Sequence, residues 1–313
     1  MSTDHIILCP GQGAQRLGMG KAWFDSCPLS SQTFGAADAI LGDTLGAPLS
    51  TLCFEGPLET LNRTDVAQPA LYTCAVASYQ AWINDDDDAM GAAAGLSLGE
   101  YTALHLAGAL SFEDGLRLVA LRGKAMQDAS QAVDSSMVAL IGANEEQAKQ
   151  VCQSVVGDRT DLILVPANFN APGQVVLSGH TEACDLAVDQ AGALGLRAAK
   201  LSVAGAFHSP LMQSAADRLE TALDSVNIVA PSCPVLSNVT GEPHTGDPTD
   251  IGATIKANLV AQLTSPVLWE ADCHWLADHA TGDYHELAPG KVLAGLMRRI
   301  NRSTKVTTHD TPQ

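Results

Sequence analysis

The sequence predicts an α/β fold in which a small ferredoxin-like subdomain is inserted into a larger α/β domain. Hydrophobic residues make up 46% of the 313 residues and aromatic residues only 4%, a balance that suits closely packed helices and strands better than an aromatic-rich β sandwich. Short apolar runs alternate with segments of helical spacing along the chain. The stretch 136–203 has the pattern βαββαβ, the split-βαβ motif.

Ahead of that stretch, the pattern predicts two short buried strands, at 5–9 and 89–95. Pro10-Gly11-Gln12-Gly13 stops the first strand, and the second leads directly into a helix over 96–110. Asp85 to Asp88 are interpreted as a solvated loop. Further helices are predicted for 17–24, 31–42, 67–83 and 111–129, the last with Ser111 as its N-cap.

The inserted subdomain is placed at 134–203, and the larger domain at 1–133 and 204–313. The strands of the inserted subdomain are predicted at 136–142, 162–169, 174–179 and 197–203, and its helices at 144–156 and 181–195. In the rest of the chain we expect helices at 210–226, 248–263 and 291–300, with strand ends at 234–239 and 285–289.

Charge and cysteine usage restrict the function classes. The net charge is −18, so nucleic acid is not expected as a partner, although Arg298, Arg299 and Arg302 form a local basic cluster. None of the eight cysteines forms a Cys-x-x-Cys pair of the kind that binds zinc. No apolar run approaches the roughly 20 residues of a membrane helix. We therefore expect a cytoplasmic, reduced monomer with no membrane contact.

Gly95-Leu96-Ser97-Leu98-Gly99 is the strongest local signal for chemistry. A nucleophile elbow places a serine on a strained turn between a buried strand and a helix, and needs small residues two positions to either side. The predicted strand and helix supply that context, so Ser97 is the candidate nucleophile. The alternative is a tight strand–helix turn without catalytic function.

A nucleophilic serine needs a base, and His208 is the foremost candidate among nine histidines. It follows the last subdomain strand, where a returning loop can bring it to the elbow. His105 is expected to pack, and His5, His279 and His309 lie in polar or terminal stretches. The alternative for His208 is a helix-entry residue before Ser209 and Pro210.

Acyl chemistry also needs backbone donors for an oxyanion. The amide of Leu98 is one candidate, and the loop Gly11-Gln12-Gly13 is the other, unless that loop is a simple turn. Arg122 lies among apolar residues in the next helix. It either pairs with an internal carboxylate or forms a bidentate clamp for the carboxylate of a substrate.

Taken together, these motifs resemble the malonyl-CoA:acyl carrier protein transacylase family, the acyltransferases of fatty acid and polyketide synthesis. They span nearly the whole chain in the family's order. The matching segments are PGQGAQ (10–15), QPALYT (68–73), GLSLGEYTAL (95–104), LRGKAMQ (121–127), NFNAPGQVVLSG (168–179), AFHSPLM (206–212), SNVTG (237–241), QLTSPVLW (262–269) and APGKVL (288–293).

The resemblance implies an α/β-hydrolase-like large domain with the ferredoxin-like insert, and malonyl-CoA and an acyl carrier protein as partners. It implies that Ser97 is acylated and that His208 is the base, with its other ring nitrogen held by the backbone carbonyl of Gln262. The remaining implied roles are oxyanion amides at Gln12 and Leu98, a carboxylate grip at Arg122, and substrate contacts at Gln68, Asn168, Asn170 and Phe207.

The resemblance associates Phe207, directly before the base, with malonyl rather than methylmalonyl donors. One position departs from the family pattern, because many members carry histidine where this chain has Leu96. No metal or redox cofactor is expected.

Two other functions remain open from the sequence. A serine esterase or thioesterase would share the nucleophile and base but would not need Arg122. A non-catalytic module that binds acyl-CoA or a carrier protein would not use Ser97 at all.

Overall fold

The structure, a computed structural model, describes residues 4–83, 89–247 and 250–312. The predicted loop at Asp85 to Asp88 lies outside these residues. The strands are β1 (His5–Cys9), β2 (Met90–Gly95), β3 (Ser135–Ile141), β4 (Leu164–Ala171), β5 (Gln174–His180), β6 (Arg197–Lys200), β7 (Leu236–Ser237), β8 (Glu242–Pro243), β9 (Asp283–Leu287) and β10 (Val306–His309).

Helices surround these strands, and short 3₁₀ turns lie at Gly42–Leu45 and Pro210–Met212. The α-helices are α1 (Lys21–Ser26), α2 (Pro28–Leu41), α3 (Leu49–Phe54), α4 (Leu58–Leu61), α5 (Thr64–Trp82), α6 (Gly99–Leu106), α7 (Phe112–Ala132), α8 (Glu145–Val156), α9 (Thr181–Ala193), α10 (Gln213–Leu223), α11 (Ile251–Ala261), α12 (Trp269–His279) and α13 (Val292–Ile300).

The large domain is built on a parallel sheet with the strand order β10-β9-β1-β2. β1 and β2 lie side by side, in register from Ile6 opposite Ala92 to Cys9 opposite Gly95. Their carboxyl ends therefore meet at one edge of the sheet, where α/β proteins commonly bind ligands. The glycine loop after β1 and the elbow after β2 both lie at this edge.

The small sheet is antiparallel, with the order β4-β5-β3-β6, and is covered by α8 and α9. The order βαββαβ predicted from the sequence is therefore confirmed. The subdomain has its own apolar core, in which Val138, Leu140 and Leu177 are fully buried. The exact boundaries at 133/134 and 203/204 stay a prediction.

Several predicted elements differ from the structure at their ends. The helix expected at 17–24 begins only at Lys21, because Gly18 and Gly20 have positive φ angles of 80° and 77° and form a turn. The elbow helix, expected to reach residue 110, ends at Leu106, before Gly108 at φ 75°. Ser111 does cap α7, since its side chain accepts the N–H of Asp114. None of the helices within the described residues is long and apolar enough to cross a membrane.

Candidate active site

Ser97 occupies the turn between β2 and α6 with a φ of 53°. A β-carbon on Gly95 would lie 1.8 Å from the backbone of Gly99, and one on Gly99 would lie 2.1 Å from the carbonyl oxygen of Cys9. Both positions therefore require glycine, as the elbow hypothesis expects. The strained turn lifts the Ser97 hydroxyl above the carboxyl edge of the sheet.

His208 lies opposite Ser97, on the chain segment that returns from the small subdomain. Its Nε2 is 2.8 Å from Ser97 Oγ, and its Nδ1 is 2.7 Å from the carbonyl oxygen of Gln262. A carbonyl oxygen only accepts hydrogen bonds, so Nδ1 carries the proton of the neutral ring and Nε2 is free to accept the serine proton. The backbone carbonyl thus takes the place that a carboxylate has in a Ser-His-Asp triad.

Ser97 and His208 share a backbone property. Within the described residues they are the two non-glycine residues with a positive φ, 53° and 57°. Each such conformation costs on the order of 1–3 kcal/mol and persists only where the surroundings enforce it. The strain coincides with the two side chains that meet at 2.8 Å, which supports a functional site here.

Burial, and then the neighbouring Arg122 cation, lower the pKa of His208 to about 4. The hydrogen bond to the Gln262 carbonyl acts in the opposite direction. At neutral pH the imidazole is therefore unprotonated, the state that a general base requires.

Arg122 is 1% exposed and reaches the nucleophile from α7. Its Nη2 donates to Ser97 Oγ at 3.0 Å and to Gln262 Oε1 at 2.8 Å, and its Nη1 donates to Gln68 Oε1 at 2.7 Å. Within the described residues it forms no ion pair with a carboxylate, and its Nε has no hydrogen-bond partner. The alternative of an internal Arg–carboxylate pair is therefore not what the structure has.

A set of buried polar side chains below Ser97 was not assigned from the sequence. Asn238 Oδ1 accepts the N–H of Ser97 at 2.6 Å, and its Nδ2 donates to the carbonyl oxygen of Gly95 at 2.8 Å. Glu100, fully buried, accepts from the backbone N–H of Asn238 and from Gln262 Nε2. We call Ser97, Glu100, Arg122, His208, Asn238 and Gln262 the catalytic network. The SNVTG motif contained Asn238, but a short polar motif does not reveal which amide it will hold.

A cleft of about 480 Å³ opens above the network, within the usual range for small-molecule sites. Leu96 lines it together with seven predicted site residues, namely Gln12, Ser97, Arg122, Asn168, Asn170, Phe207 and His208. Gln68 does not line the cleft, because it is buried beneath it and bonds Arg122. Leu98 is also buried, at the start of α6.

The two proposed oxyanion donors lie on adjoining segments. A β-carbon on Gly11 would be 2.2 Å from the carbonyl oxygen of Leu96, so the glycine loop packs directly against the elbow. Within the described ranges, neither the N–H of Gln12 nor that of Leu98 is engaged in a hydrogen bond. Among all the residues that the structure describes, no group of three or more His, Cys, Asp or Glu side chains could hold a metal ion.

Comparison with known proteins identifies the family. Residues 6–306 match the model of the acyl transferase domain family. Over 299 residues the chain is 39% identical to the malonyl CoA-acyl carrier protein transacylase of Escherichia coli K12, covering 95% of this chain and 93% of that protein. The chain belongs to the malonyl CoA-acyl carrier protein transacylase family. It is therefore an acyltransferase, and the resemblance carried by the sequence motifs is confirmed.

Solved structures of the family have the same fold. The malonyl-CoA:acyl carrier protein transacylase of Xanthomonas oryzae matches with a TM-score of 0.91 and 39% identity, covering all of this chain and 96% of that one. A malonyl-transacylase solved in complex with its type II PKS acyl-carrier protein matches with a TM-score of 0.91 and 36% identity, covering 99% and 97%. These matches confirm the predicted fold class of a large α/β domain with a small subdomain.

Proposed function

We propose that the protein transfers a malonyl group from malonyl-CoA to the phosphopantetheine thiol of an acyl carrier protein, through an ester on Ser97. The observation that carries the proposal is the placement of Arg122. A buried guanidinium with no carboxylate partner among the described residues, 3.0 Å from the nucleophile, is suited to an acyl group that bears its own carboxylate.

In the proposed cycle, Ser97 Oγ attacks the thioester carbonyl while His208 Nε2 takes its proton. The N–H groups of Gln12 and Leu98 stabilise the tetrahedral oxyanion. The C–S bond then breaks, and His208 returns the proton to the thiolate of coenzyme A. The carrier thiol attacks the ester next, with His208 again as base and the Ser97 alkoxide recovering the proton.

The cleft offers a polar contact for the pantetheine arm that both substrates share. Asn170 lines the cleft, and its Oδ1 is buried without a hydrogen-bond partner among the described residues. A buried acceptor without a donor is costly, so an amide N–H of the arm would relieve it. Asn168 lies on the same strand, β4, and lines the same cleft.

A basic surface near this cleft suits a carrier protein of acidic surface. Arg298, Arg299 and Arg302 line one pocket together with Pro172, two residues beyond Asn170. None of the three forms an ion pair with a described residue, whereas Lys124 and Lys200 are paired with Asp128 and Asp185. In a protein of net charge −18, these three arginines supply the local positive charge that docking needs.

The test is intact-mass spectrometry of the protein after mixing with malonyl-CoA. We expect a mass gain of one malonyl group, lost in Ser97→Ala and retained in Ser202→Ala, which removes another serine that lines the cleft. Carrier protein added afterwards should remove the label and become malonylated. Absence of the label from the wild type would contradict the proposal and favour a non-catalytic binding module. Transfer to water alone would favour a thioesterase.

A further inference from the structure

Glu100 is a buried carboxylate that the proposed reaction does not use directly. It directly follows the elbow, in the first turn of α6, and is fully buried. Removing a carboxylate from water is costly unless hydrogen bonds compensate. Its environment should therefore show what it stabilises.

Three donors face the two oxygens of Glu100. Oε2 accepts from the N–H of Asn238 at 3.1 Å and from Gln262 Nε2 at 2.7 Å, and Oε1 accepts from His244 Nε2 at 2.9 Å. His244 Nδ1 in turn lies 3.2 Å from the amide nitrogen of Asn258. A carboxylate surrounded only by donors is matched as an anion, because a protonated acid would present a hydrogen to one of them.

This arrangement determines which way the Gln262 amide points. A carboxylate accepts only, so the end of Gln262 that faces Glu100 must be the NH₂ group. The other end, Oε1, then faces Arg122 Nη2 at 2.8 Å. The same residue supplies the backbone carbonyl that holds His208.

Glu100 also contributes charge. Burial lowers the pKa of Arg122, whereas Tyr101 and then the negative charge of Glu100 act in the opposite direction. Arg122 has no direct carboxylate partner among the described residues, so the Glu100 carboxylate, one amide away, offsets part of its desolvation cost.

We propose that Glu100 is a positioning residue for the acyl donor, because it fixes the Gln262 amide that orients Arg122 toward the donor's carboxylate. This inference rests on the proposed malonyl transfer. It assigns Glu100 an effect on donors that carry a carboxylate, and a smaller effect on neutral donors that do not use Arg122.

The experiment compares Glu100→Gln with wild type by measuring kcat/KM for acylation of Ser97 by malonyl-CoA and by acetyl-CoA. We expect the malonyl-to-acetyl ratio to fall about tenfold or more, with KM for malonyl-CoA rising more than kcat falls. The control is Glu286→Gln. Glu286 is another fully buried carboxylate, at the end of β9, which accepts the N–H groups of Leu293 and Ala294 at the start of α13. Glu286→Gln should change the stability of the protein but leave the malonyl-to-acetyl ratio within about twofold of the wild-type value.

A second variant, Glu100→Asp, keeps the charge but shortens the reach to Gln262 and should give an intermediate ratio. A ratio in Glu100→Gln equal to that of wild type would overturn the inference. So would failure of both Glu100 variants to fold while Glu286→Gln folds, since this would show a purely structural role. If the wild type itself takes up no malonyl group, the proposed function fails, which is a separate and recognisable outcome.

Discussion

Two groups of largely buried polar side chains lie in the large domain, and they are held together in different ways. The catalytic network joins a cation, a carboxylate and two amides to the nucleophile and its base. The second group, the histidine cluster, consists of His5, His285 and His309. His5 Nδ1 lies 2.9 Å from His285 Nε2, and His285 Nδ1 lies 3.0 Å from His309 Nε2. All three rings pack against Trp82.

The difference lies in how donor and acceptor roles are assigned. In the catalytic network, Arg122 can only donate, and the Gln262 carbonyl can only accept, so every proton has one position. In the histidine cluster, each contact joins two ring nitrogens, of which one must donate and the other accept. A further proton there would place a positive charge in a partly desolvated cluster, which burial opposes. Acid should therefore act on the histidine cluster and on His208, whose pKa is lowered to the same value, while the hydrogen bonds donated by Arg122 keep their direction.

The largest effect should follow from removing the cation of the network. Arg122→Ala should lower kcat/KM for malonyl-CoA about 100-fold or more, because a bidentate charged contact is lost. Activity with acetyl-CoA should be retained or increased. Arg117→Ala is the control, since Arg117 lies on the same helix but pairs with Glu113 at the surface. Unchanged malonyl kinetics in Arg122→Ala would remove the clamp hypothesis.

A smaller effect concerns the base. The pKa of His208 is lowered to about 4, so kcat/KM with acetyl-CoA should change little between pH 7.5 and 5.5. Removing a nearby positive charge raises the pKa of an imidazole. In Arg122→Ala the acid limb of the pH profile should therefore move to higher pH, but it should stay in place in Arg117→Ala. An acid limb that does not move would show that the Arg122 charge does not act on His208.

The sequence was sufficient to predict the parts of the site that depend on local structure. The elbow around Ser97 follows from a buried strand, two glycines and a helix, all within about ten residues, and the split-βαβ order follows from apolar periodicity. Ser97 and His208, by contrast, are 111 positions apart. Their proximity depends on how the chain returns from the small subdomain, so the residues alone left His208 as one of several candidates, and the family resemblance selected it.

Contacts made by sheet register could not be predicted in this way. The sequence places His5 and His309 in polar or terminal stretches and predicts no shared role for them. In the structure, β9 pairs with both β1 and β10, and this register brings His5 and His309 next to His285. Asn238 and Glu100 were missed for a related reason, since their partners lie 141 and 162 positions away in the chain. The helix α12 was also missed, because its sequence mixes apolar, acidic and histidine residues without clear helical periodicity.

The smallest expected effect would test the histidine cluster itself. Burial, and then the charge of His5, lower the pKa of His309 to about 4. The unfolded chain, with a histidine pKa near 6.5, binds more protons between these values. The free energy of unfolding should therefore be highest above about pH 6.5 and fall as the pH drops toward 4.

We expect His309→Gln, whose amide can occupy the position of Nε2 but does not titrate, to reduce this loss by about 1 kcal/mol between pH 7.5 and 5. Urea unfolding at the two pH values measures the difference. His274→Gln is the control, because the His274 side chain is 54% exposed. An equal reduction in both variants would indicate a general charge effect. An unchanged loss in His309→Gln would place the acid sensitivity at other groups, His208 of the catalytic network first among them.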